Sequence, residues 1–245
     1  MHFGHITKPY GPMAIIDPRH EGRNEIPAFI EGAYRVYVER RDAYKLDKGT
    51  IDAYLDAKAE NDYLELRGAK LAVALEKLKA VFLTKPDNAV REFVVDEEMF
   101  AGLMPKMKGA VGTVLKDAGI AGPLRGEIYG KLRGLNRRSF ADLLSGFFDE
   151  IGLCPSSADV QLFIQCRNKL VHTGEFYSVA ATVEERVKCS PLSTPAAEYY
   201  FMVSLLDQIF LRLLGYSGPY VDYRTIVPGP LSRGVITDSG AEPNS

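Results

Sequence analysis

The sequence predicts an all-α protein, an up-and-down helical bundle, and three observations lead to this prediction. Apolar residues recur every three or four positions along most of the chain between residues 27 and 225. Short breaks rich in glycine, proline and capping residues separate these segments, and no internal repeat is visible. With 245 residues, 46% of them hydrophobic, the chain can bury the core of one ordinary domain.

The first two predicted helices follow from this spacing. Pro27 suits a first helical turn, and apolar pairs continue at helical spacing to about Tyr44. Thr50 follows a break and suits the N-cap of a second helix that runs to about Leu83. One face of this second helix is apolar and carries Leu64, Leu71, Leu75, Leu78 and Phe82. We expect the longest helix of the bundle within 50–83.

Capping residues predict the ends of the remaining helices. Asp96 and Ser139 suit N-caps, whereas Gly152 and Gly174 suit the residue that follows a helix. The predicted helices span about 97–119, 123–134, 139–151, 157–173 and 194–214. Residues 91–95 are expected to form a short extended connector.

Both ends of the chain lack helical periodicity. Residues 1–26 are rich in glycine and proline, and we interpret them as an irregular segment, the remnant of a longer architecture. Residues 226–245 are polar and rich in helix breakers, which predicts a disordered tail and leaves 27–225 as the helical domain. Three histidines lie in the irregular N-terminal segment: His2, His5 and His20. A metal site would require them to converge with a further ligand, which a flexible segment broken by prolines does not favour, so the sequence predicts neither a metal site nor a cofactor.

The composition excludes several classes of protein. The formal net charge of −2 provides no overall basic field, so a nucleic-acid contact has to come from a local patch. Three widely spaced cysteines without a CxxC pair are typical of reduced thiols. The N-terminus lacks the apolar run of a signal peptide, and polar residues interrupt the most apolar stretch, 199–214. We therefore expect a cytoplasmic protein with no membrane span, in which this stretch is a buried helix.

The candidate functional centre is the segment 167–172, with the sequence RNKLVH, in the predicted helix 157–173. At about 100° per residue, Arg167 falls within the apolar arc of this helix, whereas Asn168 and His172 share its polar flank. A guanidinium that faces the core is costly unless it meets a carboxylate or an anionic ligand. His172 lies in the last turn, where the helix dipole favours the imidazolium form.

Two explanations of this arrangement stay open. In the first, Arg167 binds a phosphate, His172 moves the proton of an RNA 2′-hydroxyl group, and Asn168 orients one of them, which allows metal-free RNA cleavage. In the second, Arg167 pairs with an acid of the predicted helix 50–83, and His172 caps carbonyl groups at its helix end. Taken without context, the spacing favours this structural explanation.

Longer matches supply that context. Residues 167–176, RNKLVHTGEF, fit the pattern R-[polar]-x3-H, and three further regions accompany them. These regions contain YLELRGAKL and ALEKL within 63–78, LNRRSF at 135–140, and LLDQIFLRLLGY at 205–216. Together they resemble the HEPN superfamily, in its Apea-like branch, over roughly residues 27–225.

The resemblance implies a HEPN-type helical bundle that dimerises and brings two motifs into one cleft. Active members of the superfamily are metal-independent endoribonucleases that leave cyclic phosphate ends, and this branch occurs in bacterial antiviral defence and toxin systems. We therefore expect an RNA-cleaving or RNA-binding homodimer with Arg167, Asn168 and His172 at its site, together with a neutralising or sensor partner. Because some HEPN domains have lost catalysis, the alternative is a non-catalytic module for dimerisation or for binding a nucleotide or partner protein.

Other residues are weaker candidates. Arg137 and Arg138 are expected to supply a local RNA-binding patch, with solvated surface charge as the alternative. Arg67 lies on the apolar stripe of the predicted helix 50–83, and an ion pair with Glu60 is favoured over a role in the cleft. The aromatic run 199–201 is expected to belong to the core, with base stacking as the alternative.

Overall fold

The computed structural model describes residues 13–16, 25–59, 62–85, 91–180, 192, 194–225 and 233–236. The predicted all-α bundle is confirmed. Its helices are α1 (Glu25–Arg40), α2 (Ile51–Ala57), α3 (Leu64–Thr84), α4 (Glu97–Asp117), α5 (Gly122–Leu132), α6 (Phe140–Ile151), α7 (Ser157–Thr173), α8 (Tyr177–Ala180) and α9 (Pro195–Leu213). Shorter helical turns occupy Leu46–Thr50, Arg133–Asn136 and Tyr223–Thr225. Two antiparallel strands, β1 (Gly218–Val221) and β2 (Arg233–Ile236), pair with Gly218 opposite Ile236.

The core lies between α3 and α9, with α6 and α7 packed beside them. Most side chains of α9 are buried, which confirms the prediction that the most apolar stretch is a buried helix. The stripe predicted on α3 also faces inward, and Leu71, Leu75, Leu78 and Phe82 are at most 3% exposed. Within the described ranges, no helix has both the length and the apolar character that crossing a membrane would need.

The prediction of a single helix over 50–83 is wrong, because two helices lie within this segment. Helix α2 ends at Ala57, and α3 begins at Leu64. The break begins at Lys58, whose ammonium group is fully buried against Asp207 of α9. A long-range ion pair therefore overrides the helical periodicity at this point.

Capping residues behave as predicted with one exception. The side chain of Asp96 accepts a backbone N–H of α4 at 2.7 Å, and Ser139 opens α6 with a capping box. Gly152 and Gly174 follow α6 and α7 in the left-handed conformation, at φ 65° and 72°. Thr50 is the exception, because its hydroxyl group makes no cap and donates to a preceding carbonyl group at 3.3 Å.

Helices α4 and α5 pack against each other and contribute no residue to the main hydrophobic core. We call residues 97–138 the arm. Gly112 is the only buried residue of α4, and α5 has none. Helix α4 runs unbroken through Pro105 and has 21 residues, as does α3, so α3 is not longer than every other described helix.

Both ends of the chain reach the bundle within the described ranges. Met13 and Ile16 of the irregular segment are buried, and the N–H group of Val221 donates to the carbonyl group of Ile15 at 2.8 Å. The predicted disorder of 226–245 does not hold for the four residues of β2, because β1 offers partners for their backbone groups. The remainder of that tail lies outside the described residues, as do His2, His5 and His20.

Candidate functional site

Helix α7 carries the motif between two capped ends. The hydroxyl group of Ser156 accepts a backbone N–H of the first turn at 3.1 Å, and the N–H of Gly174 donates to the carbonyl group of Leu170 at 3.1 Å. Phe163 and Cys166 are completely buried and fix the inner face of the helix. The predicted end of α7 at Gly174 is confirmed, so His172 lies in its last turn.

The Arg167 side chain is only 9% exposed and has three neighbours. Its Nη1 donates to Oδ1 of Asn168 at 2.7 Å, and its Nη2 contacts Oε1 of Glu76 on α3. The guanidinium carbon lies 4.4 Å from the centre of the Phe140 ring. The buried Nε has no acceptor among the described residues. Burial lowers the pKa of Arg167, although a guanidinium stays protonated at neutral pH.

Lys79 adds a second cation beside Arg167. Its Nζ lies 2.5 Å from Oε2 of Glu76 and 5.7 Å from the centre of the Phe140 ring. Two cations therefore share one carboxylate, and we call Glu76, Lys79, Phe140, Arg167 and Asn168 the Arg167 cluster. Because the side chains of Glu76 and Lys79 are 34% and 27% exposed, the cluster reaches solvent.

Sequence reasoning found only part of this cluster. The structural explanation of Arg167, a pair with an acid of the predicted helix 50–83, is confirmed by Glu76. Lys79 and Phe140 were not predicted as site residues. The i,i+3 spacing of Glu76 and Lys79 was the signal for a local ion pair, but no spacing connects α3 with Phe140.

His172 lies on the opposite side of α7 from Phe163, about 180° around the helix axis. Its side chain is exposed and has no hydrogen-bond partner in the described part of the chain, so the open alternative in which it caps helix-end carbonyl groups is not observed there. Arg167 points inward and His172 outward, about 140° apart. Within one chain, the contacts of Arg167 involve Asn168 and not His172.

Glu198 anchors the chain immediately after the motif. Its carboxylate is fully buried in the first turn of α9 and accepts the N–H groups of Tyr177 and Ser178 at 2.9 and 2.8 Å. These bonds hold the start of α8 against the first turn of α9. Sequence reasoning missed Glu198, because an acid in a first helical turn usually serves only its own helix.

The predicted basic patch lies on the segment that leads into α6. Arg137 is exposed, and its Nε lies 3.7 Å from a carboxylate oxygen of Glu92, which is a weak solvated pair. The backbone N–H of Arg138 donates to the carbonyl group of Glu92 at 2.9 Å, and its Nε is buried without an acceptor among the described residues. Phe140 follows two positions later, so the patch and the Arg167 cluster share one short segment, 137–140.

Arg67 contributes to the core and not to the Arg167 cluster. Its guanidinium carbon lies 4.1 Å from the centre of the Tyr199 ring, and its Nη2 contacts the sulfur of Met13 at 3.1 Å. Glu60, the predicted partner, lies outside the described residues. Tyr199 is completely buried, as predicted for the aromatic run, and burial raises its pKa to about 12.

Compared with models of known protein families, with curated proteins and with solved structures, the chain finds no match. The HEPN resemblance therefore depends on the quoted sequence segments and stays a prediction.

Proposed function

We propose that this chain is a HEPN-type metal-independent endoribonuclease or RNA-binding effector, which works as a cytoplasmic homodimer in a bacterial defence system under a sensor or neutralising partner. One observation carries the proposal. Oδ1 of Asn168 accepts a hydrogen bond from Nη1 of the buried Arg167 at 2.7 Å, while His172 on the next turn is exposed. A restrained arginine is preorganised for a phosphate, and a histidine without a partner in the described ranges is available for proton transfer.

In the proposed reaction, His172 accepts the proton of an RNA 2′-hydroxyl group, and the 2′-oxygen attacks the adjacent phosphorus. Arg167 stabilises the negative charge that grows on the nonbridging phosphate oxygens, and Asn168 keeps the guanidinium oriented. The bond from phosphorus to the 5′-oxygen then breaks, and this oxygen takes a proton from an imidazolium group. The products are a 2′,3′-cyclic phosphate and a 5′-hydroxyl group.

The need for both a base and an acid supports a homodimer. One chain offers a single His172, whereas cleavage through the 2′-hydroxyl group works best with one proton acceptor and one donor. A second copy of α7 across a two-fold axis supplies the other histidine. Val171 beside it is 41% exposed, and an exposed apolar residue at this position suits such an interface.

RNA has to compete with Glu76 for Arg167. Exchange of the carboxylate for a phosphate keeps the buried guanidinium paired, so no unpaired charge is left in the protein. Lys79 stays beside Glu76 and compensates its charge after the exchange. Glu76 therefore acts as an internal substitute for the phosphate in the unliganded chain.

The same ion pair favours a second candidate function, a non-catalytic module that dimerises or binds a nucleotide or partner protein. If Arg167 stays with Glu76, it fixes α7 against α3 and has a purely structural role. His172 and Val171 would then belong only to an interaction surface.

Incubation of the purified protein with mixed RNA in the presence of a chelator separates the two functions. His172→Ala should lower the cleavage rate by about 100-fold or more, because proton transfer contributes at least this factor. Gln165→Ala is the matched control, since Gln165 is exposed on the same flank of α7 two turns earlier. Cleavage should remain in this control, and dimerisation and helicity should remain in both variants. Intact RNA with all three folded proteins would favour the non-catalytic module.

Sedimentation over a dilution series tests the assembly. The proposal expects a dimer whose dissociation abolishes cleavage, because each site would use two copies of His172. A monomer that cleaves RNA at high dilution would overturn the composite site.

A further inference from the structure

An open cavity of about 390 Å³ lies at the base of the arm. The first half of α4 forms one wall, and the connector before α4 and the turn after α5 form the others. The volume lies within the range of about 300–1,000 Å³ that is typical of small-molecule sites.

The chemical groups of the cavity match the parts of a nucleotide. Phe93 and Phe100 offer aromatic rings, on which a base can stack. Lys108 and Arg133 offer two cations for a phosphate, and neither has an acidic partner within the described ranges. The carboxylate of Glu97 repels a phosphate, but it accepts hydrogen bonds from an exocyclic amine or a ribose hydroxyl group.

Asn136 makes this cavity a built feature of the fold. The residue is 4% exposed, and its side-chain amide accepts from the N–H of Val95 at 3.0 Å and donates to the carbonyl group of Val95 at 2.9 Å. A further bond joins the N–H of Val94 to the carbonyl group of Asn136 at 2.8 Å. These three bonds fix the connector against the turn, so the cavity walls are held in place.

The arm has the charge that a polyanion requires. Residues 97–138 contain eight basic and four acidic side chains, although the whole chain has a net charge of −2. The positive charge is therefore concentrated on an element that takes little part in the core. Concentrated positive charge on an exposed element is the usual electrostatic signature of contact with nucleic-acid phosphates.

A short covalent path links the cavity to the Arg167 cluster. Asn136 lines the cavity, and Phe140, four residues later, lies against Arg167. Four residues span at most about 15 Å even when fully extended. A strand of RNA that reaches Arg167 can therefore place a neighbouring nucleotide at the cavity.

We propose that this cavity binds one nucleotide of the RNA strand that the Arg167 cluster engages. The base stacks on Phe100, and the phosphate pairs with Lys108 and Arg133. This inference rests on the proposed function for its substrate, but its own evidence is the cavity and the charge of the arm.

The test measures binding of a short fluorescein-labelled single-stranded oligoribonucleotide by anisotropy over a series of KCl concentrations. The His172→Ala protein serves as the background, so that cleavage does not consume the probe. Lys108→Gln should weaken binding and reduce the salt slope by about one, as expected when one phosphate contact is lost. Lys106→Gln is the matched control, because Lys106 lies on the same helix but about 160° away from Lys108. This control should change affinity and slope much less than Lys108→Gln does.

Phe100→Leu tests stacking, since it keeps an apolar side chain and removes the ring. It should weaken oligoribonucleotide binding about five-fold or more, and thermal unfolding should show that the fold is retained. Equal losses with Lys106→Gln and Lys108→Gln, or full affinity with folded Phe100→Leu, would overturn the site. Binding of AMP as tight as that of the oligoribonucleotide would overturn its assignment to an RNA strand.

The two proposals fail separately. Binding that depends on Lys108 and Phe100, with no cleavage by the unmodified protein, would sustain the nucleotide site and overturn the nuclease. Cleavage that is unaffected by Lys108→Gln and Phe100→Leu would sustain the nuclease and overturn the nucleotide site.

Discussion

The ammonium group of Lys58 lies 2.7 and 2.8 Å from the two carboxylate oxygens of Asp207, and both side chains are fully buried. The hydroxyl group of Tyr54 donates to the same carboxylate at 2.5 Å, so Asp207 receives hydrogen bonds from two side chains. Burial lowers the pKa of Lys58 and raises that of Asp207, and the ion pair opposes both shifts. The pair joins the end of α2 to α9. The helix predicted over 50–83 is broken at this end of α2.

Removal of one partner of this pair should destabilise the protein strongly. We expect Lys58→Met to lower the free energy of unfolding by about 3–5 kcal/mol, because a buried carboxylate is left without its cation. Lys58→Met combined with Asp207→Leu should recover most of the loss. Urea unfolding of the two variants measures both effects, and a double variant less stable than the single one would contradict this account.

The deficit of Lys58→Met should depend on pH. The folded-state pKa of Asp207 is raised by burial, so its contribution to stability is greatest below the unfolded-state pKa and is lost as the pH rises through the folded-state value. Without the Lys58 ammonium, this pKa rises further. The deficit should therefore be smaller near pH 4 than at pH 8. Urea unfolding of both proteins at the two pH values measures it, and an equal deficit at pH 4 and pH 8 would contradict this account.

Gly68 allows α3 to approach α7 closely. A Cβ at this position would lie 2.7 Å from the Phe176 ring and 3.1 Å from a methyl group of Leu170. Gly68→Ala should therefore destabilise the protein by about 1–3 kcal/mol. Gly102→Ala in α4 is the control, since its Cβ would meet no atom within 4 Å. Alanine is the better helix former, so Gly102→Ala should stabilise the protein by up to about 1 kcal/mol. Thermal unfolding should therefore show a lower Tm for Gly68→Ala and an unchanged or higher Tm for Gly102→Ala.

Glu76 separates the catalytic from the structural role of Arg167. If RNA displaces Glu76, then Glu76→Gln should increase the affinity for a single-stranded oligoribonucleotide several-fold, because the competing charge is gone. If Arg167 is only structural, the variant should lose stability without any gain in affinity. Glu65→Gln, at an exposed position of the same helix, is the control for both readouts.

Glu198 should stabilise the attachment of α8 to α9. Glu198→Gln replaces one carboxylate oxygen with an amide nitrogen, so one of the N–H groups of Tyr177 and Ser178 loses its acceptor. We expect a loss of about 1–3 kcal/mol in stability. Glu175→Gln, an exposed change just before α8, should have no effect in the same urea unfolding experiment.

The sequence by itself determined where most helices begin and end. Asp96, Ser139, Gly152 and Gly174 act on backbone groups within a few residues along the chain, so their effect can be read from local sequence. The burial of α9 was equally predictable, because its apolar residues leave no continuous polar face. The arrangement of Arg167, Asn168 and His172 around α7 was predictable for the same reason, since it depends only on spacing along one helix.

Only the tertiary structure decided which distant residues meet. Glu76 rather than another acid reaches Arg167, and Asp207, which is 149 positions from Lys58, ends the helical run at 57. Strand β2 forms in a segment with a breaker-rich composition because β1 supplies its hydrogen-bond partners. In each case the stabilising contact joins positions far apart in the chain. Periodicity and capping report the preferences of neighbouring residues, whereas these contacts depend on how whole helices pack and on which charges they bury together.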